Sequence, residues 1–278
     1  MDDFRLFTSI RYDPELLKVP SLGFTNVGWN SKSSPFHMLD FHRDRMLRAA
    51  IYWDWTAAIA SISGQEGLEN LERFLQGATK DLVNGPHRLM ITLARDGSLG
   101  YEISSLPATH LNNLYPEYLP NQSFDSDSNI SVTVRGGKVP IKDPMYDIFV
   151  DSQRTTKSEF THYKTTFRDM YNDARNRAKV NPGDKKEVLL LNEDGYIMEG
   201  SISTPYFWRN GKWVTPPVPR KFDAFQGSGG NDGTTRRWAL ERHLAAEETV
   251  LADSLVDGEE CWISNGLRGF ICGKVKLH

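Results

Sequence analysis

Two residues of opposite charge, Lys164 and Glu199, have sequence neighbours that favour chemistry over simple solvation. Aromatic and hydroxyl residues flank Lys164, whereas surface lysines are usually accompanied by charged residues. Burial among such groups favours the neutral form of a lysine amine, which is the form that attacks an aldehyde. Glu199 follows Met198 and precedes Gly200, so a solvated strand edge is the less favoured interpretation. A buried lysine and a distant buried acid together indicate a cofactor held between them.

Local patterns predict the elements that would position these two residues. Phe167, Tyr171 and Ala174 recur at helical spacing and predict a helix that begins soon after the lysine. The structural alternative, a lysine at a helix start, is unfavourable because a cation there opposes the helix macrodipole. A short apolar strand, a turn of sequence Asn-Glu-Asp-Gly and a return strand then deliver Glu199.

The hydrophobic patterns of the first part of the chain predict a small α+β domain. One alternating segment and two amphipathic segments are followed by a hairpin with an Asp96-Gly97 turn. The predicted ranges are residues 4–12 for the strand, 39–61 and 68–82 for the helices, and 87–94 and 99–103 for the hairpin. Residues 107–129 are rich in Pro, Asn, Asp and Ser and form the linker candidate. We therefore expect two domains, residues 1–120 and residues 121–278.

The remainder of the chain is predicted to be mainly strand with one late helix. Residues 130–135 and 145–150 have strand patterns, and a helix is expected over residues 234–246. Gly233, Thr234 and Thr235 stand at the start of that helix. Exposed backbone N–H groups, hydroxyls and the positive end of the helix dipole attract an anion at such a position.

Composition and charge exclude several function classes. The chain has 278 residues, 39% of them hydrophobic, and a net charge of −3 at pH 7. This charge gives no reason to expect nucleic acid, so an anionic ligand needs a local pocket. No apolar run approaches the roughly 20 residues that span a bilayer, and the acidic start is unlike a signal peptide. Cys261 and Cys272 lack the spacing of a metal site. We expect a cytoplasmic protein with no metal, membrane or nucleic-acid partner.

Five motifs occur in the order that one known family uses. They span residues 163–175, 199–203, 215–217, 233–236 and 264–269. Through them the chain resembles the fold-type IV pyridoxal 5′-phosphate (PLP) enzymes, which include branched-chain and D-amino-acid aminotransferases and 4-amino-4-deoxychorismate lyases. The fungal lyase-like proteins are the most similar group. The resemblance implies an α+β, two-domain fold of the D-amino-acid aminotransferase type, and a homodimer. The N-terminal α+β domain would be smaller, and the larger, β-rich C-terminal domain would carry both Lys164 and Glu199.

The resemblance assigns cofactor roles to residues at matching positions. Lys164 would be the catalytic lysine that binds PLP, and Glu199 would keep the ring nitrogen protonated. Arg45, in the pattern His42-x-x-Arg45, matches the arginine that holds the phosphate, a task that suits its planar fork. The other cofactor candidates are Gly233, Thr234 and Thr235 for the phosphate, and Ser264 and Asn265 near the phosphate or the substrate.

Substrate-binding candidates match the family less closely. Thr8 and Arg11 lie on the first predicted strand, which lines the substrate side of the pocket in the resembled family. An ordinary strand with surface arginines remains the alternative for this pair. Arg268 is a candidate for a substrate carboxylate, and Arg95, which follows the 87–94 strand, is another.

The preferred function is a lyase reaction on a small-molecule amine, in which 4-amino-4-deoxychorismate gives 4-aminobenzoate and pyruvate. Lys164 would take the proton from the amine-bearing carbon, and aromatisation of the ring would drive the loss of enolpyruvate. An aminotransferase or amine transaminase on the same scaffold is the alternative. A third hypothesis is a scaffold that binds a phosphorylated ligand without turnover, which the pairing of Lys164 with Glu199 disfavours.

Overall fold

The computed structural model describes residues 4–22, 33–82, 85–121 and 138–277. The chain divides into two compact units. The first unit comprises Met1–Ala108 and Glu159–Arg168, and the second comprises Thr109–Ser158 and Asp169–His278. The boundary predicted after residue 120 therefore lies inside the second unit, and the segment that carries Lys164 belongs to the first unit. This corrects the expectation that the C-terminal domain carries the lysine.

Helices and strands occur in both units. The helices, in chain order, are α1 Leu39–Tyr52, α2 Thr56–Ile62, α3 Gly64–Thr79, α4 Leu111–Leu114, α5 Glu159–His162, α6 Asp169–Arg177 and α7 Thr234–Glu241. The strands are β1 Leu6–Tyr12, β2 His87–Leu93, β3 Leu99–Ser105, β4 Tyr146–Arg154, β5 Lys186–Leu191, β6 Ile197–Gly200, β7 Thr204–Arg209, β8 Lys212–Thr215, β9 Ala246–Glu247, β10 Glu260–Asn265 and β11 Gly269–Lys276. Short 3-10 helices span Pro14–Leu22 and Ala252–Ser254. None of the helices in the described ranges is long and apolar enough to cross a membrane.

The first unit is built on a three-stranded antiparallel sheet with β2 between β1 and β3. Leu6 pairs with Leu93 and Tyr12 with His87, so β1 is paired with β2 along its whole length. The predicted first strand and the predicted hairpin are both confirmed. At the turn between β2 and β3, Gly97 has a φ of 84°, a left-handed conformation that glycine adopts without strain.

The helix predicted over residues 39–61 is two helices, α1 and α2. Asp54 adopts a left-handed φ of 52° between them, and the N–H of Trp55 donates to the carbonyl of Ala50 at 2.9 Å. Aspartate tolerates this conformation better than most residues, so the break is a helix cap that the apolar pattern does not reveal. Similarly, α7 ends at Glu241 rather than at residue 246, since His243 turns the chain with a φ of 57°.

Backbone hydrogen bonds join the segment around Lys164 to β1 within the first unit. The N–H of Phe7 donates to the carbonyl of Lys164 at 3.1 Å, and the N–H of Thr166 donates to the carbonyl of Arg5 at 2.9 Å. Aromatic contacts add to this attachment. The ring centre of Phe160 lies 5.2 Å from that of Phe4, and other ring contacts join Trp53 to Tyr163 at 5.2 Å and Tyr52 to Tyr163 at 4.7 Å.

The second unit contains an eight-stranded sheet in the order β6-β5-β4-β11-β10-β7-β8-β9. The pairings of β4 with β5, β4 with β11 and β8 with β9 are parallel, and the others are antiparallel. The strand predicted over residues 145–150 corresponds to β4. The strand predicted over residues 130–135 lies outside the described residues. Buried side chains of α6, Tyr171 and Ala174, pack against Val188, Leu190 and Met198 of the β5–β6 hairpin.

Two glycines of the first unit provide a test of this fold. A Cβ atom on Gly97 would lie 2.8 Å from the carbonyl oxygen of Ala57, whereas a Cβ on Gly77 would have no neighbour within 4 Å. We expect Gly97→Ala to destabilise the protein by about 1–3 kcal/mol, since it combines strain at positive φ with a backbone clash. Gly77→Ala, inside α3, should stabilise it by about 0.5–1 kcal/mol. Urea denaturation of both variants measures the contrast, and equal midpoints would contradict it.

Candidate active site

Lys164 lies half-buried in the first unit, between two buried residues, Tyr163 and Thr165. Its amine nitrogen Nζ is 4.8 Å from the centre of the Phe7 ring. Thr165 forms an isolated antiparallel bridge with Leu6 at the start of β1. The position of the lysine is therefore fixed by strand pairing rather than by a helix, and α6 begins five residues later, at Asp169.

Arg45 and His42, one turn apart on α1, share the hydroxyl of Thr8 on β1. Arg45 Nη2 donates to Thr8 Oγ1 at 2.6 Å, and the same oxygen is 2.6 Å from His42 Nδ1. Burial, then the neighbouring Arg45, His37 and Lys164, hold the pKa of His42 well below its usual value. His42 is therefore neutral at pH 7, and of these two residues only Arg45 carries a positive charge. Thr8 and Arg45 were expected to have different roles, whereas a hydrogen bond joins them in the structure.

Glu199 is a buried residue of β6 whose carboxylate accepts a hydrogen bond from α6. The hydroxyl of Tyr171 donates to Glu199 Oε1 at 2.6 Å, and Glu199 is 8% exposed. Opposite it on β5 is Leu190. From sequence, Tyr171 contributed to the helical spacing and to the family motif but had no predicted polar contact, because an aromatic residue at helical spacing carries no sign of a polar partner.

Glu187, which sequence analysis did not single out, organises the turn that follows Glu199. It is 1% exposed, and its carboxylate accepts hydrogen bonds from the turn after β6 and from the next residue of β5. The donors are the hydroxyl of Ser201 at 2.6 Å, the hydroxyl of Ser203 at 2.6 Å, and the N–H groups of Val188 at 2.9 Å, Ser201 at 3.1 Å and Ile202 at 3.3 Å. A buried carboxylate with this many donors fixes the direction in which the chain leaves β6.

The glycine-rich loop before α7 packs tightly against β6 and β7. A Cβ on Gly230 would lie 2.5 Å from the carbonyl oxygen of Met198 and 3.1 Å from Cβ of Glu199. A Cβ on Gly233, the N-cap of α7, would lie 2.8 Å from Oγ1 of Thr204. Close approach therefore accounts for glycine at these two positions of the loop.

Hydroxyl groups form a buried network at the start of α7. Thr235 Oγ1 is 2.8 Å from Ser264 Oγ, which is 2.9 Å from the hydroxyl of Tyr206. Burial raises the pKa of Tyr206, so its hydroxyl stays protonated. Thr234 is buried next to Thr235. Asn265 has a different task in the structure, since its Oδ1 accepts from the N–H groups that close the turn between β10 and β11.

The arginines considered for substrate binding have unequal surroundings. Arg11 is 0% exposed and donates to Oδ2 of Asp13 at 2.7 Å and to the carbonyl of Pro107 at 3.4 Å. Arg95 is exposed beside the turn between β2 and β3. Arg268 is half-buried, and its guanidinium donates to the hydroxyl of Tyr146 at 3.2 Å. The contacts of Arg11 indicate a structural role, and those of Arg268 leave it the better candidate.

Comparison with known proteins identifies the family. Residues 24–273 match the sequence profile of the amino-transferase class IV proteins. The chain belongs to this family. It is 28% identical over 207 residues to the aminodeoxychorismate lyase of Saccharomyces cerevisiae, which covers 68% of this chain and 52% of that protein. The chain thus spans about half the length of the fungal relatives it matches.

Solved structures with the same fold include aminotransferases. A proposed amino-acid aminotransferase of Mesorhizobium loti aligns with a TM-score of 0.63 and 20% identity, over 99% of this chain and 100% of that one. A hypothetical aminotransferase of Mycobacterium tuberculosis, solved with α-ketoglutarate and PMP bound, aligns with a TM-score of 0.56 and 13% identity, over 98% and 81%. The predicted fold-type IV architecture is confirmed, and the cofactor of this family of enzymes is PLP.

The residues described above fit PLP by their chemistry. The first unit presents a half-buried lysine and a buried arginine, and the buried Nε2 of His42 makes no hydrogen bond within the described residues. The second unit presents a buried carboxylate, as well as a helix start with a glycine cap and a buried threonine hydroxyl. Lysine suits the aldehyde, the carboxylate suits a protonated ring nitrogen, and arginine and the helix start suit a phosphate. Among the described residues, no cluster of His, Cys, Asp or Glu is placed to hold a metal ion.

Removing the Glu187 carboxylate should destabilise the second unit. Glu187→Ala leaves several buried donors without an acceptor, and we expect a loss of about 2–4 kcal/mol in the free energy of unfolding. Glu117→Ala removes an exposed carboxylate from the same unit and should change it by less than about 0.5 kcal/mol. Chemical denaturation of the apoproteins compares the two. A Glu187→Ala variant as stable as the Glu117→Ala variant would show that the turn does not depend on this carboxylate.

Proposed function

We propose that this protein is a PLP-dependent lyase that converts 4-amino-4-deoxychorismate to 4-aminobenzoate and pyruvate. The observation that carries the proposal is the buried Glu199 carboxylate held by Tyr171, in a chain whose curated relative in yeast is an aminodeoxychorismate lyase. A buried acid of this kind has a use in cofactor chemistry that a passive binding scaffold does not require.

Each group of the chain has a proposed task toward the cofactor. Lys164 binds the aldehyde carbon of PLP, and Glu199 accepts a hydrogen bond from its ring nitrogen. Arg45, oriented by Thr8, is proposed to bind the phosphate. The N–H groups of Thr234 and Thr235 are proposed to bind it as well, and Gly233, the N-cap before them, has no side chain that would cover these groups. We also propose that Ser264 supports the Thr235 hydroxyl and that Asn265 shapes the adjacent turn.

The elimination balances without any change of oxidation state. When bound, PLP withdraws electron density from the amine-bearing carbon of the substrate. Once the substrate amine had displaced it from the aldehyde carbon, the free Lys164 amine would take the proton from the amine-bearing carbon, and the electron pair left behind would form the new ring double bond. The bond between the ring carbon and the enolpyruvyl oxygen breaks, the ring becomes aromatic, and enolpyruvate leaves. Protonation of its methylene carbon then gives pyruvate, so no external oxidant or reductant is needed.

Recognition of the two substrate carboxylates requires cations in addition to Arg45. We propose Arg268 for one of them, since it is half-buried and donates to the hydroxyl of Tyr146 rather than to an acid. The ion pair of Arg11 with Asp13 supports a role in holding β1, and the exposure of Arg95 supports a role at the surface. Thr8 is proposed to act through Arg45 rather than on the substrate.

A PLP-dependent aminotransferase or amine transaminase is the second candidate function. The likeness in fold to aminotransferases favours it. In that reaction the same lysine would return the proton to the cofactor, and no enolpyruvate would be eliminated. We further propose that the protein is a cytoplasmic homodimer. Its buried free thiols, Cys261 and Cys272, are compatible with a reducing compartment.

Product analysis of the purified protein tests the reaction. With aminodeoxychorismate we expect 4-aminobenzoate and pyruvate in equal amounts, without any amino acceptor. Borohydride reduction of the holoenzyme should fix the cofactor on the peptide that contains Lys164, and Lys164→Ala should abolish both results. Turnover that requires an added keto acid would favour the transaminase, and a label on another lysine would overturn the assignment of Lys164.

Titration of PLP into apoprotein tests the phosphate contact. Charge-assisted hydrogen bonds contribute about 1.5–3 kcal/mol, so Arg45→Ala should weaken PLP affinity by roughly 10- to 150-fold. Arg73→Ala, which removes an exposed arginine from α3 of the same unit, should leave the affinity unchanged. Pyridoxal without its phosphate should bind the wild type and Arg45→Ala equally. If Arg45→Ala bound PLP as tightly as the wild type does, the phosphate would have to be bound elsewhere.

A further inference from the structure

The hydrogen bond between Tyr171 and Glu199 joins two buried groups from different elements. The phenol oxygen lies 2.6 Å from Oε1 of the carboxylate, and the exposed fractions of the two residues are 4% and 8%. A tyrosine hydroxyl keeps its proton at neutral pH and so acts as the donor in this pair. The distance is typical of a hydroxyl that donates to a charged carboxylate.

Packing prevents the phenol from turning away from the carboxylate. Tyr171 and Ala174 belong to the buried face of α6, which contacts Val188, Leu190 and Met198. Glu199 is held in β6 by its pairing with Leu190. On another side, Gly230 lies so close that a Cβ there would be 3.1 Å from Cβ of Glu199. The orientation of the carboxylate is therefore determined by three separate segments of the chain.

A donor in this position has a chemical consequence for Glu199. Burial disfavours a charged carboxylate, and a hydrogen bond to the charged form favours it. Only the ionised carboxylate can stabilise a proton on a neighbouring ring nitrogen. The phenol also occupies one direction around Oε1, so the carboxylate cannot rotate freely to other partners.

We propose that Tyr171 is a positioning residue that keeps the Glu199 carboxylate ionised and in a fixed orientation. Through Glu199 it thereby keeps the ring nitrogen of the cofactor protonated. The inference rests on the proposed role of Glu199 toward PLP. Tyr171 acts through Glu199 and touches neither substrate nor cofactor. The α6–β6 hydrogen bond is thus part of the catalytic machinery, although both residues are also part of a packed core.

A double-mutant cycle tests the inference on the holoenzyme. Its members are the wild type, Tyr171→Phe, Glu199→Gln and the double variant, with Tyr196→Phe as the control. Tyr196 is half-buried beside the same hairpin, and its hydroxyl makes no hydrogen bond within the described part of the chain. Tyr171→Phe removes one oxygen and keeps the ring in the core, so the melting temperature checks that the fold is retained.

We expect Tyr171→Phe to lower kcat by about 10-fold or more while KM changes little, because a charge-assisted hydrogen bond is lost. The visible absorption spectrum of its bound cofactor should shift in the same direction as that of Glu199→Gln. In the Glu199→Gln background, Tyr171→Phe should change kcat by less than about twofold, since a residue that acts through Glu199 has nothing left to position. Tyr196→Phe should match the wild type in kcat and spectrum.

Three results would overturn the inference, and they are distinguishable. An equal loss of kcat from Tyr171→Phe in both backgrounds would show that the phenol acts through packing alone. Wild-type kcat and spectrum in Tyr171→Phe would show that Glu199 needs no such donor. Near-wild-type kcat and spectrum in Glu199→Gln would instead remove the proposed role of Glu199, and the role of Tyr171 with it.

Discussion

The buried carboxylate of Glu187 is the group on which the geometry around Glu199 depends. Burying a charge is costly unless hydrogen bonds replace its water, and here the replacement comes from the turn that follows β6. Those donors reach Glu187 only when the chain after Gly200 folds back toward β5. The turn is therefore fixed by the requirement to satisfy one carboxylate, and the direction of the preceding residue, Glu199, is fixed with it.

In the first unit, β1 has a corresponding role. Phe7 and Thr8 are consecutive residues of this strand, so their side chains point to opposite faces. The backbone and ring of Phe7 contact Lys164, and the hydroxyl of Thr8 contacts Arg45. A single strand thus positions both cations. It holds the lysine by backbone pairing and the arginine by a side-chain hydrogen bond. Strands are well suited to this, because their register is set by many hydrogen bonds at once.

The parts of the fold that were predicted from sequence are those with local causes. Alternation predicted β1, and the turn residues Asp96 and Gly97 predicted the hairpin. The assignment of the lysine segment to the first unit was missed, since it depends on hydrogen bonds to Arg5 and Phe7, which are distant in sequence. The ion pair of Arg11 with Asp13 was also missed, because Asp13 lies just beyond the end of β1, where the alternation of the strand no longer predicts which face a side chain takes.

The sequence overstates the positive charge available to an anionic ligand. Buried Arg236 bonds to Asp232 and Glu247, and Arg177 bonds to Asp151, so these guanidinium groups are already matched by carboxylates. His42 adds no charge, because its burial and the nearby cations keep it neutral. Near Thr8, positive charge is thereby concentrated on Arg45 rather than shared with its neighbour on the same helix. In a protein of net charge −3, attraction of a phosphate depends as much on which neighbours stay neutral or paired as on how many arginines the chain contains.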